Sequence, residues 1–300
     1  MFSTLLGPLP APTAGDASSA GDSADSAALV LAALDEIGVE LVTTGAPSAP
    51  PDLPAADVVD GWRTAAALSP RPVKQVLMGP YTAGRDGGPS GPAGIAETMR
   101  STIAALADAG CAFVEIDEPE ALAIAVVEGE RRRFADAHRR LVDGLTGIHV
   151  SLAVSGGNVD AAGPATFFDL PYASYAFDLI AGPDNWRLAV AAPGDRGIVC
   201  GAMDPREGGD ETPELLVWAA HYAASSSGRG LDRVGLANAP SLATLPWEVA
   251  LRKLRRVAEA ARIAGIPSPH EMAAKLDPRA ISSRRAATGT PVRPARSEAD

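Results

Sequence analysis

Short apolar runs alternate along the chain with longer stretches in which apolar residues return every three or four positions. The short runs lie at 3–7 (STLLG), 39–44 (VELVTT), 73–78 (VKQVLM), 112–116 (AFVEI), 148–154, 175–180, 197–202 and 233–237. Each is rich in Val, Ile, Leu or Phe and gives way to Gly, Pro, Asn or Asp, the punctuation of a strand. Helical periodicity fills the intervals at 26–37, 55–68, 93–109, 120–142, 162–170, 184–191, 212–226 and 246–264. Eight strands, each followed by a helix, predict an α/β fold with a parallel sheet. Regular alternation at this length favours a single (β/α)8 TIM barrel over a doubly wound open sheet, and puts the active site at the C-terminal ends of the strands. The barrel is expected over residues 1–267. The Arg-, Ala- and Pro-rich stretch 268–300 reads as a disordered tail, and 11–25 and 84–91 read as mobile loops.

Composition narrows the function class. The chain of 300 residues carries a net charge of −11, which argues against nucleic acid, whose phosphates need clustered Lys and Arg. Nothing approaches the ~18 apolar residues of a membrane span, and the first residues lack the basic and apolar regions of a secretion signal. Two cysteines, Cys111 and Cys200, do not make a disulfide framework. A cytoplasmic protein acting on a small molecule is the expectation.

In a barrel, polar residues at the C-terminal strand ends converge on one mouth. Thr82, Asp117 and Glu118, His149 and Ser151, Asp178, Asp204 with Arg206 and Glu207, and Asn238 with Ser241 are the candidates. Ser155-Gly156-Gly157-Asn158 can hold an anion through backbone N–H groups, or be a plain turn. His149, alone among apolar residues, reads either as a hydrogen-bonded core residue or as a ligand. His138, in a charged helix, and His270 read as surface residues, and His221 as structural. Cys200, mid-strand, reads as inert core, and Cys111 has no activating neighbour. The arginine runs at 131–133 and 139–140 read as a solvated helix face.

Several of these segments, in collinear order, resemble one family. VKQVLMGPYT (73–82) is similar to the strand and Gly-Pro-x-Thr loop of the catalytic domain of cobalamin-independent methionine synthases. AGCAFVEIDEPEA (109–121) is similar to that family's Ile-Asp-Glu-Pro strand end. STLLGPLP, GVELVTTG, IHVSLAVSGGN and VGLANAPSLATLPWEVALRKLRRVAEAA resemble its first, second, middle and closing segments. The resemblance covers roughly residues 3–264, within the barrel superfamily that also holds uroporphyrinogen decarboxylase.

The resemblance implies transfer of a methyl group from a methyl-folate, or another carrier, to a thiol held as thiolate on zinc. Of the family's His, Cys, Glu and Cys zinc ligands, the first falls on His149 and the third on Asp178. The two Cys positions fall on Ser151 and Pro240. A His/Asp pair without thiolates is a weak zinc site. Ala46 stands where the family's second strand has a Glu for the substrate ammonium, and Arg206 where its Asp-x-His segment has His. The expectation is a divergent methyltransferase with a degraded zinc site. His149, Asp178, Asp117, Asp204 and Arg206 would be catalytic. Gly7, Thr82, Glu118, Ser151 and Asn158 would bind substrate. A protein partner could supply the methyl donor. A metal-free decarboxylase- or lyase-like enzyme acting on a carboxylated molecule, and a non-catalytic binding paralogue, stay open.

Overall fold

The computed structural model describes residues 1–12, 23–86, 91–209 and 211–277. The sheet strands are β1 (Phe2–Ser3), β2 (Gln75–Met78), β3 (Phe113–Glu118), β4 (His149–Val154), β5 (Ser174–Asp178), β6 (Gly197–Met203) and β7 (Val234–Asn238). The helices are α1 (Ser23–Ile37), α2 (Ala55–Leu68), α3 (Pro80–Gly84), α4 (Gly91–Asp108), α5 (Glu128–Val142), α6 (Pro164–Phe168), α7 (Trp186–Ala191), α8 (Pro213–Ser225), α9 (Trp247–Ala264) and α10 (Pro269–Leu276). The strands form one sheet in the order β1-β7-β6-β5-β4-β3-β2, with every pair parallel.

Alternation along each strand sorts side chains into two layers. Val114 and Ile116 of β3 and Val150, Leu152 and Val154 of β4 join Ile103, Phe134 and Leu141 in the core between sheet and helices. On the inner face the side chains are small: Ala153, Ala176, Val199 and Ala237 cluster with Leu6. The inner face of β3 breaks this apolar pattern with Glu115 and Asp117.

The sheet among the described residues has seven strands, not the eight expected. Residues 39–44 make only a lone parallel bridge, Val42 to Val73, and a second bridge joins Ala49 to Leu77. The N–H groups of Glu40 and Leu41 both donate to the Ser3 carbonyl, and Thr4 Oγ1 donates to the Leu41 carbonyl at 2.8 Å. The chain cannot extend these contacts into a ladder. Gly45 turns it at φ +70°, and Pro47, Pro50 and Pro51 then lack the N–H a ladder needs. β1 is equally short, and a side chain takes over where its ladder stops. Asn238 accepts from Leu6 N at 3.1 Å and donates to Leu6 O at 2.8 Å.

Two other expectations change. The helix expected over 120–142 is a 3₁₀ turn (Ala121–Ala125) followed by α5. Residues 269–276 are helical, not disordered: Ser268 caps α10 by accepting from Glu271 N, with Pro269 at the first helical position. That Ser-Pro-x-Glu pattern is a helix-start signal readable in the sequence. Residues 278–300, and most of the loops expected at 11–25 and 84–91, lie outside the described residues.

Glu118, the last residue of β3, points to the helical side and fixes the β2–α3 turn. It accepts from Tyr81 N at 2.9 Å and from Thr82 N at 2.7 Å. The approach is possible because Gly79 has no Cβ; one built there would lie 2.1 Å from the Glu118 carboxyl carbon. Gly79→Ala is therefore expected to cost at least about 2 kcal/mol, read as a lowered urea midpoint with unchanged m-value.

Candidate functional site

Asp117 is an acidic residue that β3 directs inward near the C-terminal edge of the sheet. It is half-buried, and its pKa is pushed up to about 7, first by burial and then by the charges of Glu115 and Glu118; a hydrogen bond from Ser48 and the charge of Lys74 work against the rise. Two residues deeper, Glu115 forms an ion pair with Lys74 at 2.7 Å, both side chains almost wholly buried. Lys74 Nζ also donates to the Leu5 carbonyl at 2.6 Å. A buried pair of this kind holds only when further hydrogen bonds satisfy its remaining groups. Ser151 on β4 stands in register with Glu115, and its buried Oγ has no hydrogen-bond partner among the described residues. Inward carboxyl, deeper ion pair and open hydroxyl make a polar inner patch under the mouth.

Thr82 and Glu118 lie beside this patch but face each other. Thr82 Oγ1 donates to Glu118 at 2.5 Å and accepts from Glu120 N at 3.3 Å. Glu118 also lies 2.9 Å from His138 Nε2, within ion-pair range though poorly aligned for a hydrogen bond. His138 Nδ1 meets the Tyr172 hydroxyl at 2.6 Å. His138 is thus fully buried, contrary to its expected place on the surface. The apolar face of α5 includes it with Phe134, Ala137 and Leu141.

The remaining candidates divide by position. Asp178, at the end of β5, accepts from Gly156 N at 3.2 Å and from Ile180 N and Ala181 N at 2.9 Å each. The anion held near the glycine turn is thus the chain's own carboxylate. Asn158 exchanges hydrogen bonds with Asp184 on the neighbouring loop. Asp204 accepts from the Arg206 backbone at 2.8 Å and from its guanidinium, which holds the Asp204 carboxyl below its ordinary range. Arg206 itself is exposed. Gly7 takes φ +69°, and a Cβ built there would lie 2.7 Å from the Ser241 backbone N, so only glycine fits. Ala46 is exposed on the loop after residue 45.

His149 is at the wrong end for the role assigned to it. It is the first residue of β4 and pairs with Phe113, the first of β3. Its ring stacks on Phe113 and its Nε2 meets Ser174 Oγ at 2.7 Å. Val154 pairs with Phe177, so at about 3.3 Å per residue His149 and Asp178 are on the order of 20 Å apart along the sheet. They cannot share a metal ion. The inner β4 residues nearer the mouth are Ser151 and Ala153, which offer no soft donor. Cys200 is fully buried with its thiol pushed up to about 12. Cys111 lies one residue before Ala112, at the base of β3, and its pKa is raised by burial. No group of three or more His, Cys, Asp or Glu among the described residues could hold a metal ion, so this donor set does not fit zinc. Also among the described residues, no helix is long and apolar enough to cross a membrane.

Lys74, Glu115 and Ser48 were absent from the expected site. A lysine inside an apolar strand is unusual, and Phe-Val-Glu-Ile-Asp-Glu alternates apolar and acidic residues with the period of a strand. Both signals were legible. Ser48 belongs to an irregular segment that no periodicity marks.

The parallel sheet, its helical cover and its gathered C-terminal loops define a TIM-barrel-like α/β protein. No family model matches the sequence. It is 31% identical over 158 residues to the 5-methyltetrahydropteroyltriglutamate–homocysteine methyltransferase of Nitrobacter winogradskyi, a match that takes in 49% of this chain and 18% of that protein. The chain thus spans less than a fifth of that relative's length. In fold it resembles a B12-independent methionine synthase from Shewanella sp. W3-18-1 in complex with selenomethionine. There the TM-score is 0.68 at 15% identity, over 87% of this chain and 96% of the other. It also resembles a putative vitamin-B12 independent methionine synthase from Listeria monocytogenes, with TM-score 0.65 at 13% identity over 87% and 97%. The chain thus resembles the methionine-synthase-like barrels in fold, and over about half its length in sequence.

The raised pKa of Asp117 makes folding pH-dependent. Below the ordinary carboxylate pKa both folded and unfolded states carry the proton, and the residue costs nothing. As pH rises towards 7 the unfolded chain ionises first, so stability falls, and the loss levels off above 7. Asp117→Asn is expected to leave stability nearly unchanged at pH 4 and to raise it at pH 8 by about 2 kcal/mol after allowance for solvent at the mouth. Urea melts at the two pH values check this.

Proposed function

We propose that the chain is a methyltransferase that moves a methyl group to a small thiol or similar acceptor, with Asp117 as the base that takes the acceptor's proton. The observation that carries this is the inward carboxyl at the mouth with a pKa near 7, set in a methionine-synthase-like barrel. A free thiol titrates near 8.5, and the ideal catalytic base has a pKa close to the working pH. In the reaction the S–H proton passes to the Asp117 carboxylate and the sulfur lone pair forms the new S–C bond. The methyl–nitrogen bond of the donor breaks with its electron pair staying on that nitrogen, which takes a proton, returned by Asp117 or drawn from solvent, and leaves as the neutral amine. A methyl-folate, delivered free or by a protein partner, is the donor class the relative suggests. No step runs through zinc, because the residues present do not fit it. This reading takes the barrel to close through residues 39–42, supported by their bonds to Ser3 and the bridge to Val73.

The lyase-like alternative would need a cation such as Arg206 to hold its substrate's carboxylate. Asp204 already occupies that guanidinium, which favours the methyltransferase.

Two measurements test the proposal. Methyl transfer from a labelled methyl-folate to a panel of small thiols should rise with pH through about 7 and then level off. Asp117→Asn should lower kcat by roughly 10²- to 10⁴-fold. An unchanged rate in that variant would overturn the assignment of Asp117, and saturable binding of a thiol or donor without turnover would favour the binding paralogue. Separately, His149→Ala should leave the zinc content of the purified protein unchanged, as measured by atomic emission.

A further inference from the structure

His149, displaced from the mouth, lines a cavity of about 410 Å³ at the opposite end of the sheet. That volume lies within the range of small-molecule sites. Its inner wall is the His149–Ser174 pair, joined at 2.7 Å. Phe2, Ala173 and Val199 supply apolar surface. The floor is open because Gly197 has no side chain; a Cβ there would lie 2.8 Å from that of Ser174. Burial holds the His149 pKa below its ordinary value, so the wall is neutral at pH 7.

The rim is charged and of both signs. Asp195 and Arg196 come from the turn before β6, and Asp232 and Arg233 from the turn before β7. Arg196 is held in place by a 2.8 Å bond from Nη1 to the Tyr172 carbonyl, with its Nε 3.7 Å from Asp195. Arg233 is exposed, and its Nη1 makes only a 3.5 Å contact to the Arg229 carbonyl. An anion alone would meet two carboxylates at this rim, and a cation alone two guanidinium groups. A molecule carrying both charges meets a partner for each, with an apolar body for the interior.

We propose that this basal cavity binds a small zwitterion with an apolar side chain, of the α-amino-acid class. Its carboxylate lies towards Arg196 and Arg233, its ammonium towards Asp195 and Asp232, and its side chain against Phe2, Val199 and the His149 ring. The site is separate from the mouth and does not depend on the methyltransferase reading.

The test is calorimetric titration of the full chain with L-leucine, 4-methylpentanoate, which lacks the ammonium, and 3-methylbutylamine, which lacks the carboxylate. L-leucine is expected to bind one per chain, and both truncated probes at least about tenfold more weakly. Arg233→Glu, at an exposed position whose guanidinium makes only the long contact to Arg229, should weaken L-leucine about tenfold or more. His149→Phe, which keeps the stack on Phe113 but loses the bond to Ser174, should weaken it too. Asp117→Asn, at the mouth, should leave binding intact. No L-leucine binding up to about 10 mM, a concentration that corresponds to under 3 kcal/mol, would overturn the proposal. So would equal binding of 4-methylpentanoate, insensitivity to Arg233→Glu, or loss of binding in Asp117→Asn alone.

Discussion

One buried carboxylate holds the C-terminal edge of this sheet together. Glu118 ends β3, receives two backbone N–H groups and a hydroxyl from the start of α3, and lies against His138 of α5. Tyr172 extends the chain towards β5. A carboxylate with no exposure is tolerable only with its oxygens satisfied, so the turn after β2, the end of β3 and the face of α5 must keep fixed positions. That constraint sets where Asp117 points. Neighbouring residues on a strand face opposite sides, so locking Glu118 outward locks Asp117 inward.

The inner patch has its own logic. Lys74 and Glu115 neutralise each other out of water, and Asp117 sits above them with contributions of both signs. Burial outweighs the Lys74 charge, which leaves a carboxyl able to exchange a proton near neutral pH. The chemistry of the mouth therefore needs no thiolate ligand to present a reactive group. A site whose residues do not fit zinc still presents a group that exchanges a proton.

Much of the architecture was legible in the sequence. Six of the strands fell within a few residues of their observed bounds, because continuous apolar runs closed by Gly or Pro leave little choice. The segment at 39–44 misled because apolar content suggests a strand but says nothing of partners, and the prolines after it remove the N–H groups. Site residues were harder. Thr82, Glu118, Asp178, Asp204 and Arg206 were found at strand ends, yet each is engaged by the fold, and only the third dimension shows which carboxylate stays available. His149 was read as either a hydrogen-bonded core residue or a ligand, and only the structure shows that it begins β4, at the end away from the mouth, and bonds Ser174. His138 failed because the charges around it hid the apolar stripe on which it lies.

The inner face above the ion pair is walled mainly by alanine. Methyl side chains leave the lumen wide beneath the rim, and each could become Val, Ser or Thr through one nucleotide change. The size and polarity of what the lumen admits can therefore drift between related genes while Asp117, Glu115 and Lys74 stay as they are. In such a lineage the shape of the lumen and the charged groups beneath it are inherited as separable traits.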